Sequence, residues 1–245
     1  MASVNTVYNT LKDLANKEQK GFVTPSVFNN FAQIAQVNVF KGMLGKIVAS
    51  KRLRLRQADG SRHMSVENQI KEDLSSLSKT TTLSKSNGVF TKPDDFAYLI
   101  SMTSGGTILL GQSTRVNVEV LYDESKIDYI LKSDLSAPSE SHPIGLISDD
   151  IEVFPSSISR LRLTYYKYPE GLSPTTGART ASLPSFGYTT SNGVHVYDAS
   201  NSVDFELPDH YVPELVTQIA MLIGINLRDQ DVFTYASQED IKNKQ

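Results

Sequence analysis

The sequence predicts an α+β fold in which N-terminal helices are closed by a C-terminal helix and a β-rich part is inserted between them. Apolar residues recur at helical spacing over the first third of the chain, and this spacing returns near the end. Between these parts, several segments alternate apolar and polar residues, as half-buried strands do. We therefore expect N-terminal helices at 1–86, a β-rich part with long loops at 87–206, and a C-terminal helix and tail at 207–245 that pack on the N-terminal helices.

The N-terminal part is predicted to contain three helices. The first is indicated by apolar residues at i, i+3, i+4 and i+7 from Val4, and Gly21 is placed to end it. Thr24 and Pro25 then suit the cap and first position of a second helix. This helix is apolar over more than one stripe, so we expect burial on two sides, against its own domain and against another layer or subunit. A third helix is predicted around residues 65–77.

The middle of the chain is predicted to hold strands and one short helix. Residues 115–122 place Val116, Val118, Val120 and Tyr122 on one face, and residues 158–169 alternate in the same way. A further strand is expected at 95–102, a short helix at 123–131 and a last strand at 203–208. Residues 170–195 are rich in Gly, Ser, Thr and Pro, which predicts a long loop with a hairpin turn at residues 191–193. The final helix is expected over 209–228.

Composition limits the class of protein. The chain has 245 residues, of which 39% are hydrophobic and 21% charged, as in an ordinary globular protein. A net charge of −3 argues against a protein whose main role is to neutralise phosphates. Without cysteine it has no disulfide, thiolate nucleophile or cysteine metal site. The longest apolar run, Ile219–Ile225, is far shorter than the ~20 residues that span a bilayer. We expect a soluble protein made in a cytoplasm, with no membrane contact.

No matched set of catalytic or metal-binding residues is evident. No two histidines share a metal-binding spacing, and the acidic pairs at 94–95 and 149–150 occupy ordinary turn positions. Neither a nucleophile elbow nor a glycine-rich phosphate loop is present. We expect a non-enzyme with no catalytic residue, cofactor site or metal site.

The sharpest charged feature is a basic run in which cations alternate with Leu53 and Leu55. Its members are Lys51, Arg52, Arg54 and Arg56. They are candidates for contact with a DNA backbone, for contact with an acidic partner subunit, or for cations that end a long helix and complement its dipole. The sequence leaves these three interpretations open.

The long loop at 170–195 is a candidate assembly element. Its composition buries little apolar surface, whereas ordering a backbone costs ~1–2 kcal/mol per residue. We therefore expect it to be mobile in the free subunit and ordered against a partner. Its candidate anchors are Leu183, Phe186 and Tyr188.

The opening of the chain resembles the N-terminus of virion structural proteins of crAss-like tailed bacteriophages. The matching positions are Ala15–Gln19, Gly21, Thr24, Pro25, Phe28, Asn29, Ala35, Gln36 and Phe40. The overall plan also resembles that of podophage head-to-tail adaptors. In these, a strand ends in an aromatic phrase before proline, here at 165–169, and an F-x-L-P phrase, here at 205–208, leads into the last helix.

This resemblance implies a structural subunit of the portal-proximal collar or tail, which connects head to tail. It implies a closed homo-oligomeric ring of twelve copies that contacts the portal and other collar and tail proteins. DNA would pass through the ring during ejection without sequence-specific binding. The protein would be made in the host bacterial cytoplasm and reside in the virion. A tail-tube or baseplate subunit of the same virion is the alternative within this class. A nucleic-acid-binding protein that uses the basic helix end at 51–56 is the alternative from another class.

Overall fold

The computed structural model describes residues 1–17, 23–56, 61–104, 108–109, 112–113, 115–133, 135–180, 182–191 and 193–226. Helices and small sheets are mixed in the described part, which confirms the predicted α+β class. The chain divides into two compact units. The helical unit comprises Met1–Ser75 and Pro169–Gln245, and the inserted unit comprises Ser76–Tyr168. The inserted unit therefore has different bounds from the predicted β-rich part at 87–206.

Five α-helices lie in the described part: α1 (Val4–Lys17), α2 (Pro25–Arg56), α3 (Ser61–Asp73), α4 (Glu124–Leu131) and α5 (Val212–Asn226). The predicted start of α2 is confirmed. The Thr24 hydroxyl accepts from the Val27 N–H at 3.3 Å, and the Thr24 carbonyl accepts from the Phe28 N–H at 3.0 Å. The final helix begins later than predicted, because a 3₁₀ turn at Asp209–Tyr211 precedes α5. No helix among the described residues is long and apolar enough to cross a membrane.

The core of the helical unit lies around α2. This helix packs on both α3 and α5, and α1 packs on α5. The predicted burial of α2 on two sides is thus met within a single copy. Its fully or almost fully buried apolar side chains are Phe28, Ala32, Ala35, Phe40, Met43 and Ile47. Each large one contributes roughly 1.5–3 kcal/mol when removed from water.

The beginning of α1 is completed by a distant part of the chain. An Asp204 carboxylate oxygen accepts from the Val4 N–H at 2.7 Å, so this residue serves as the helix cap. Ala2 donates to the Leu207 carbonyl at 2.8 Å and accepts from the Phe205 N–H at 3.2 Å. Burial raises the pKa of Asp204.

The strands are β1 (Ser78–Ser84), β2 (Phe96–Ser104), β3 (Ile108–Leu109), β4 (Gln112–Ser113), β5 (Glu119–Leu121), β6 (Ile144–Ile147), β7 (Ile151–Phe154), β8 (Arg160–Lys167), β9 (Gly171–Leu172), β10 (Arg179–Thr180), β11 (Tyr188–Ser191), β12 (Val194–Tyr197) and β13 (Asp204–Phe205). In the inserted unit they form sheets ordered β1-β8-β2 and β5-β6-β7, and a β3-β4 pair. In the helical unit they form a β10-β9-β13 sheet and a β11-β12 hairpin.

The alternation predicted at 158–169 is confirmed in β8. Leu161, Leu163 and Tyr165 are fully buried in the core of the inserted unit, and Arg160 is exposed. The strand predicted at 115–122 is shorter than expected, because β5 ends at Leu121 and Asp123 caps α4. Tyr122 therefore lies outside the strand and is exposed, instead of sharing a buried face with Val118.

The long loop predicted at 170–195 is largely strand and turn. It contains β9, β10, β11 and the start of β12. The predicted hairpin turn is confirmed, since Ser191 pairs with Val194 and Gly193 has a φ of 79°, which glycine adopts without strain. Residues Ala181 and Asn192 lie outside the described part.

Candidate functional site

The basic run lies in the last turns of α2, which extends to Arg56. Its backbone is therefore helical, as one of the three interpretations requires. The side chains of Lys51, Arg52, Arg54 and Arg56 lie outside the described part. DNA contact, partner contact and dipole complementarity all remain predictions.

Phe186, one of the three anchors proposed for assembly, is instead a core residue of its own chain. Only 3% of its surface is exposed. Its ring centroid lies 4.2 Å from that of Tyr8, 6.5 Å from that of Phe28 and 5.3 Å from that of Tyr197. The hypothesis that Phe186 enters a neighbour's groove is therefore wrong, because its apolar surface is already covered by α1, α2 and β12.

Other residues of the helical unit also satisfy the backbone around Phe186. The Phe186 N–H donates to the Asn29 amide oxygen at 2.7 Å, and the Asn29 amide nitrogen donates to the Phe186 carbonyl at 3.2 Å. The Ser185 N–H donates to Val203 O, and the Gly187 N–H donates to Ser202 Oγ, both at 2.9 Å. The backbone of residues 185–187 therefore finds its hydrogen-bond partners within one copy, on α2 and at residues 202–203.

A buried polar cluster fastens the start of the same segment to α2. Gln36 and Glu206 are fully buried. The Gln36 amide donates to the Glu170 carbonyl at 2.8 Å and accepts from the Glu206 N–H at 2.9 Å. The Glu206 carboxylate accepts from the Glu170 N–H at 2.9 Å and lies 2.6 Å from the Arg179 guanidinium. These contacts contradict the expectation that only a partner could offset the cost of ordering residues 170–195.

The other two proposed anchors differ from Phe186. Leu183 and Tyr188 are 42% and 39% exposed. Both remain candidates for contact with a neighbour.

The most exposed apolar side chains of the described part lie around α4. We define the α4 surface as Tyr122, Tyr129 and Leu135, which are 70%, 78% and 97% exposed. On its opposite side, α4 buries Ile127 against Ile144 and Leu146. Since α4 is already packed on that side, the exposed side chains are not needed for its own core.

The α4 surface lies within one of the acidic segments of the chain. We define the acidic segment as residues 119–140, which carry the carboxylates Glu119, Asp123, Glu124, Asp128, Asp134 and Glu140 and the lysines Lys126 and Lys132. Six carboxylates and two lysines give a net charge of −4, compared with −3 for the whole chain. Hydrogen bonds from Ser125 lower the pKa of Asp123, so this carboxylate is charged at neutral pH.

The opposite charge is concentrated on α2. This helix carries six cations and no acidic residue: Lys41, Lys46, Lys51, Arg52, Arg54 and Arg56. One of them, Lys46, lies 3.2 Å from Glu214 of α5. The chain is therefore only mildly acidic in total, but its positive and negative charges are concentrated in different segments.

Sequence reasoning missed the α4 surface. It placed Tyr122 on the buried face of a strand, although the Asp123-Glu124-Ser125 cap that follows marks the end of that strand. Helical spacing offered a second signal. Ile127 and Ile130 lie three residues apart on one face of α4, which leaves Tyr129 on another face.

Asp95 and Tyr165 have a local structural role in the inserted unit. Asp95 accepts from Lys79 and from the Tyr165 hydroxyl, both at 2.7 Å. Burial, together with this hydrogen bond, raises the pKa of Tyr165 to about 12. His142 lines a groove of about 480 Å³ together with Glu119 and Leu135. Its ring Nδ1 lies 3.1 Å from the Ser141 hydroxyl oxygen. Within the described ranges, no group of three or more His, Cys, Asp or Glu residues could hold a metal ion.

Comparison with known proteins does not identify a family. No protein-family model matches the chain. No curated protein matches it significantly.

Proposed function

We propose that the chain is a structural subunit of a tailed-phage virion that forms a ring of the portal-proximal collar, connecting head to tail. The observation that carries the assembly role is the α4 surface. Tyrosine is enriched in subunit interfaces, and Tyr122 and Tyr129 are exposed on one copy without being needed for its core. The protein acts through contact and carries out no catalysis.

The virion assignment rests on the resemblance of the N-terminal phrase. Three of its positions contact the later part of the chain: Phe28 and Asn29 contact Phe186, and Gln36 bonds to Glu206. These residues therefore specify how the helical unit is built.

An adaptor-like arrangement is part of the proposal. Helices from both ends of the chain share one unit, in which α5 contacts α1 and α2, and the inserted unit interrupts that unit in sequence. Copies arranged head to tail would use two different surfaces of each subunit, which closes a ring when the rotation permits. A ring of twelve copies would surround the DNA channel and contact the portal and other collar and tail proteins.

The direct test is the oligomeric state and shape of the purified protein. Negative-stain electron microscopy and mass photometry are expected to show closed rings, with the twelve copies that the resemblance implies. A monomer that persists at the highest attainable concentration, and with the portal added, would contradict the proposal. Labelling the parent particle distinguishes the collar from the tail-tube or baseplate alternative.

A second candidate, nucleic-acid binding, is favoured by the six cations of α2. If this were the main role, the monomer would retain DNA, and the retention would fall steeply with salt because counterions are released. In the collar proposal DNA only passes through the ring, so retention is weak even at low salt. Replacing Lys51, Arg52, Arg54 and Arg56 with Gln is expected to impair assembly more than DNA ejection.

A further inference from the structure

We propose that β1 of one copy pairs with β1 of a second copy, antiparallel and about a two-fold axis. The β1-β8-β2 sheets of the two copies then become one continuous sheet. The inference goes beyond the proposed function and does not depend on it, because a two-fold contact neither requires nor closes a ring. Where copies of the free protein also form rings, the contact joins two rings face to face.

β1 is an edge strand whose outer side is open. Within the described part of the chain it pairs only with β8, and this pairing has no register shift. The Lys85 N–H donates to the Ser159 carbonyl in the same register, so the odd-numbered residues of β1 bond to β8. The backbone groups of the even-numbered residues therefore point outward, and no described residue bonds to them. These are Ser78, Thr80, Thr82 and Ser84.

β1 lacks the features that usually protect an edge strand from pairing. It has no proline and no bulge, and its seven residues exceed the usual ~5–6. Its one charged residue, Lys79, is engaged within its own copy, since the ammonium lies 2.7 Å from the Asp95 carboxylate. The other edge strand, β2, contains register shifts and bonds to residues 116 and 118. β1 is therefore the edge of this sheet that stays open along its whole length.

The sequence of β1 favours a second copy as the occupant. Read outward from Thr81, the sequence SKTTTLS is nearly palindromic. An antiparallel pair centred on this residue places Thr80 of one copy opposite Thr82 of the other, and Ser78 opposite Ser84. A two-fold contact needs a surface that complements itself, and β1 meets this condition.

Charge and hydrogen bonding both permit this register. No charges of like sign meet, because Lys79 of one copy lies opposite Leu83 of the other. Threonine pairs are favourable between neighbouring strands. Each residue whose backbone points outward lies opposite another such residue, so each of these pairs exchanges two hydrogen bonds.

A single cysteine on the two-fold axis tests the contact, because the chain itself contains none. In this register Thr81 faces Thr81 of the second copy in a non-hydrogen-bonded pair, whose Cα atoms are about 4.5 Å apart and within disulfide range. Thr81→Cys is therefore expected to give a disulfide-linked dimer when oxidised glutathione is added. The matched control is Ser84→Cys, an exposed position on the same strand. It lies about 20 Å from its equivalent in the second copy, so cross-linking is expected to be at least tenfold slower.

Thr82→Pro provides a second test. The Thr82 N–H points away from β8, so proline leaves the β1–β8 pairing intact and removes only the donor to Thr80 of the second copy. Combined with Thr81→Cys, it is expected to slow cross-linking at least tenfold. A thermal unfolding scan checks that each variant folds.

The outcomes separate this contact from the ring proposal. Cross-linking at residue 81 without rings would overturn only the ring. Rings with no cross-linking at residue 81, with equal rates at residues 81 and 84, or with no effect of the proline would overturn only the β1 contact.

If a variant does not fold, amide exchange in wild type replaces it. The Thr80 and Thr82 N–H groups are expected to exchange more slowly as protein concentration rises. Exchange that is independent of concentration, or that slows only when a portal or tail protein is added, would show that a second copy does not occupy β1.

Discussion

Residues 170–195 and the α4 surface both carry aromatic side chains, yet they differ in what surrounds those side chains. In the first region, Phe186 enters a cluster with Tyr8, Phe28 and Tyr197. In the second, Tyr122 and Tyr129 extend away from a small core that Ile127 already completes. The region whose composition is that of a loop is held by its own chain, and the region that contains a regular helix leaves apolar surface uncovered.

The difference shows that a side chain is buried when residues from distant parts of the same chain pack on it, and that local composition matters less. Close approach of the backbone makes the first arrangement possible. A Cβ added at Gly187 would lie 2.4 Å from the carbonyl carbon of Asn201, so only glycine fits there. Small and polar residues thus permit tight packing in this segment, although the same composition elsewhere is typical of solvent-exposed loops.

The largest expected effect follows from truncation of Phe186. Replacing it with Ala removes a buried ring and leaves a cavity, which is expected to lower the free energy of unfolding by about 3–5 kcal/mol. Urea denaturation measures the change. The control is Leu183→Ala, a nearby exposed position, where a change within about 0.5 kcal/mol is expected. Equal effects at the two positions would show that Phe186 is not a core residue.

A smaller effect is expected from Asn29→Ala. This change removes the side chain that satisfies both backbone groups of Phe186. It is expected to cost about 1–3 kcal/mol in total, because the two groups are only partly buried and water can replace part of the lost bonding. Asn9→Ala is the matched control, because Asn9 is exposed and its side-chain amide donates to Asn5 in the same helix. Amide exchange gives a second measurement, in which the Phe186 N–H exchanges slowly in wild type and faster in the variant. Rapid exchange in wild type would restore the hypothesis of a mobile assembly element.

The smallest effect on stability is expected at the α4 surface. Replacing Tyr122 and Tyr129 with Ser leaves the core under α4 intact, so the free energy of unfolding is expected to change by less than about 0.5 kcal/mol. Association, measured by sedimentation, is expected to weaken strongly in the same variant. A large loss of stability with unchanged association would reverse the roles that we assign to the two regions.

The sequence was most informative where local rules act. The Thr24-Pro25 start of α2, the alternation in β8 and the glycine turn between β11 and β12 all follow from rules that involve neighbouring residues. The burial of Phe186 could not be predicted in this way, because Tyr8 and Asn29 are distant in sequence. The start of the inserted unit at Ser76 was missed for a related reason. β1 has the sequence SKTTTLS, whose weak alternation becomes a strand through pairing with β8.

The cap on α1 has a consequence for the order in which the protein can fold during synthesis. Val4 is synthesised 200 residues before Asp204, whose carboxylate accepts its N–H. This hydrogen bond therefore forms only after the inserted unit has been made. The inserted unit, Ser76–Tyr168, is continuous in sequence and has all its strands once residue 168 has emerged. We therefore expect this middle unit to fold first, while α1 and α2 await the last helix with apolar surface uncovered. In this respect α1 is made before the inserted unit but reaches its native structure after it.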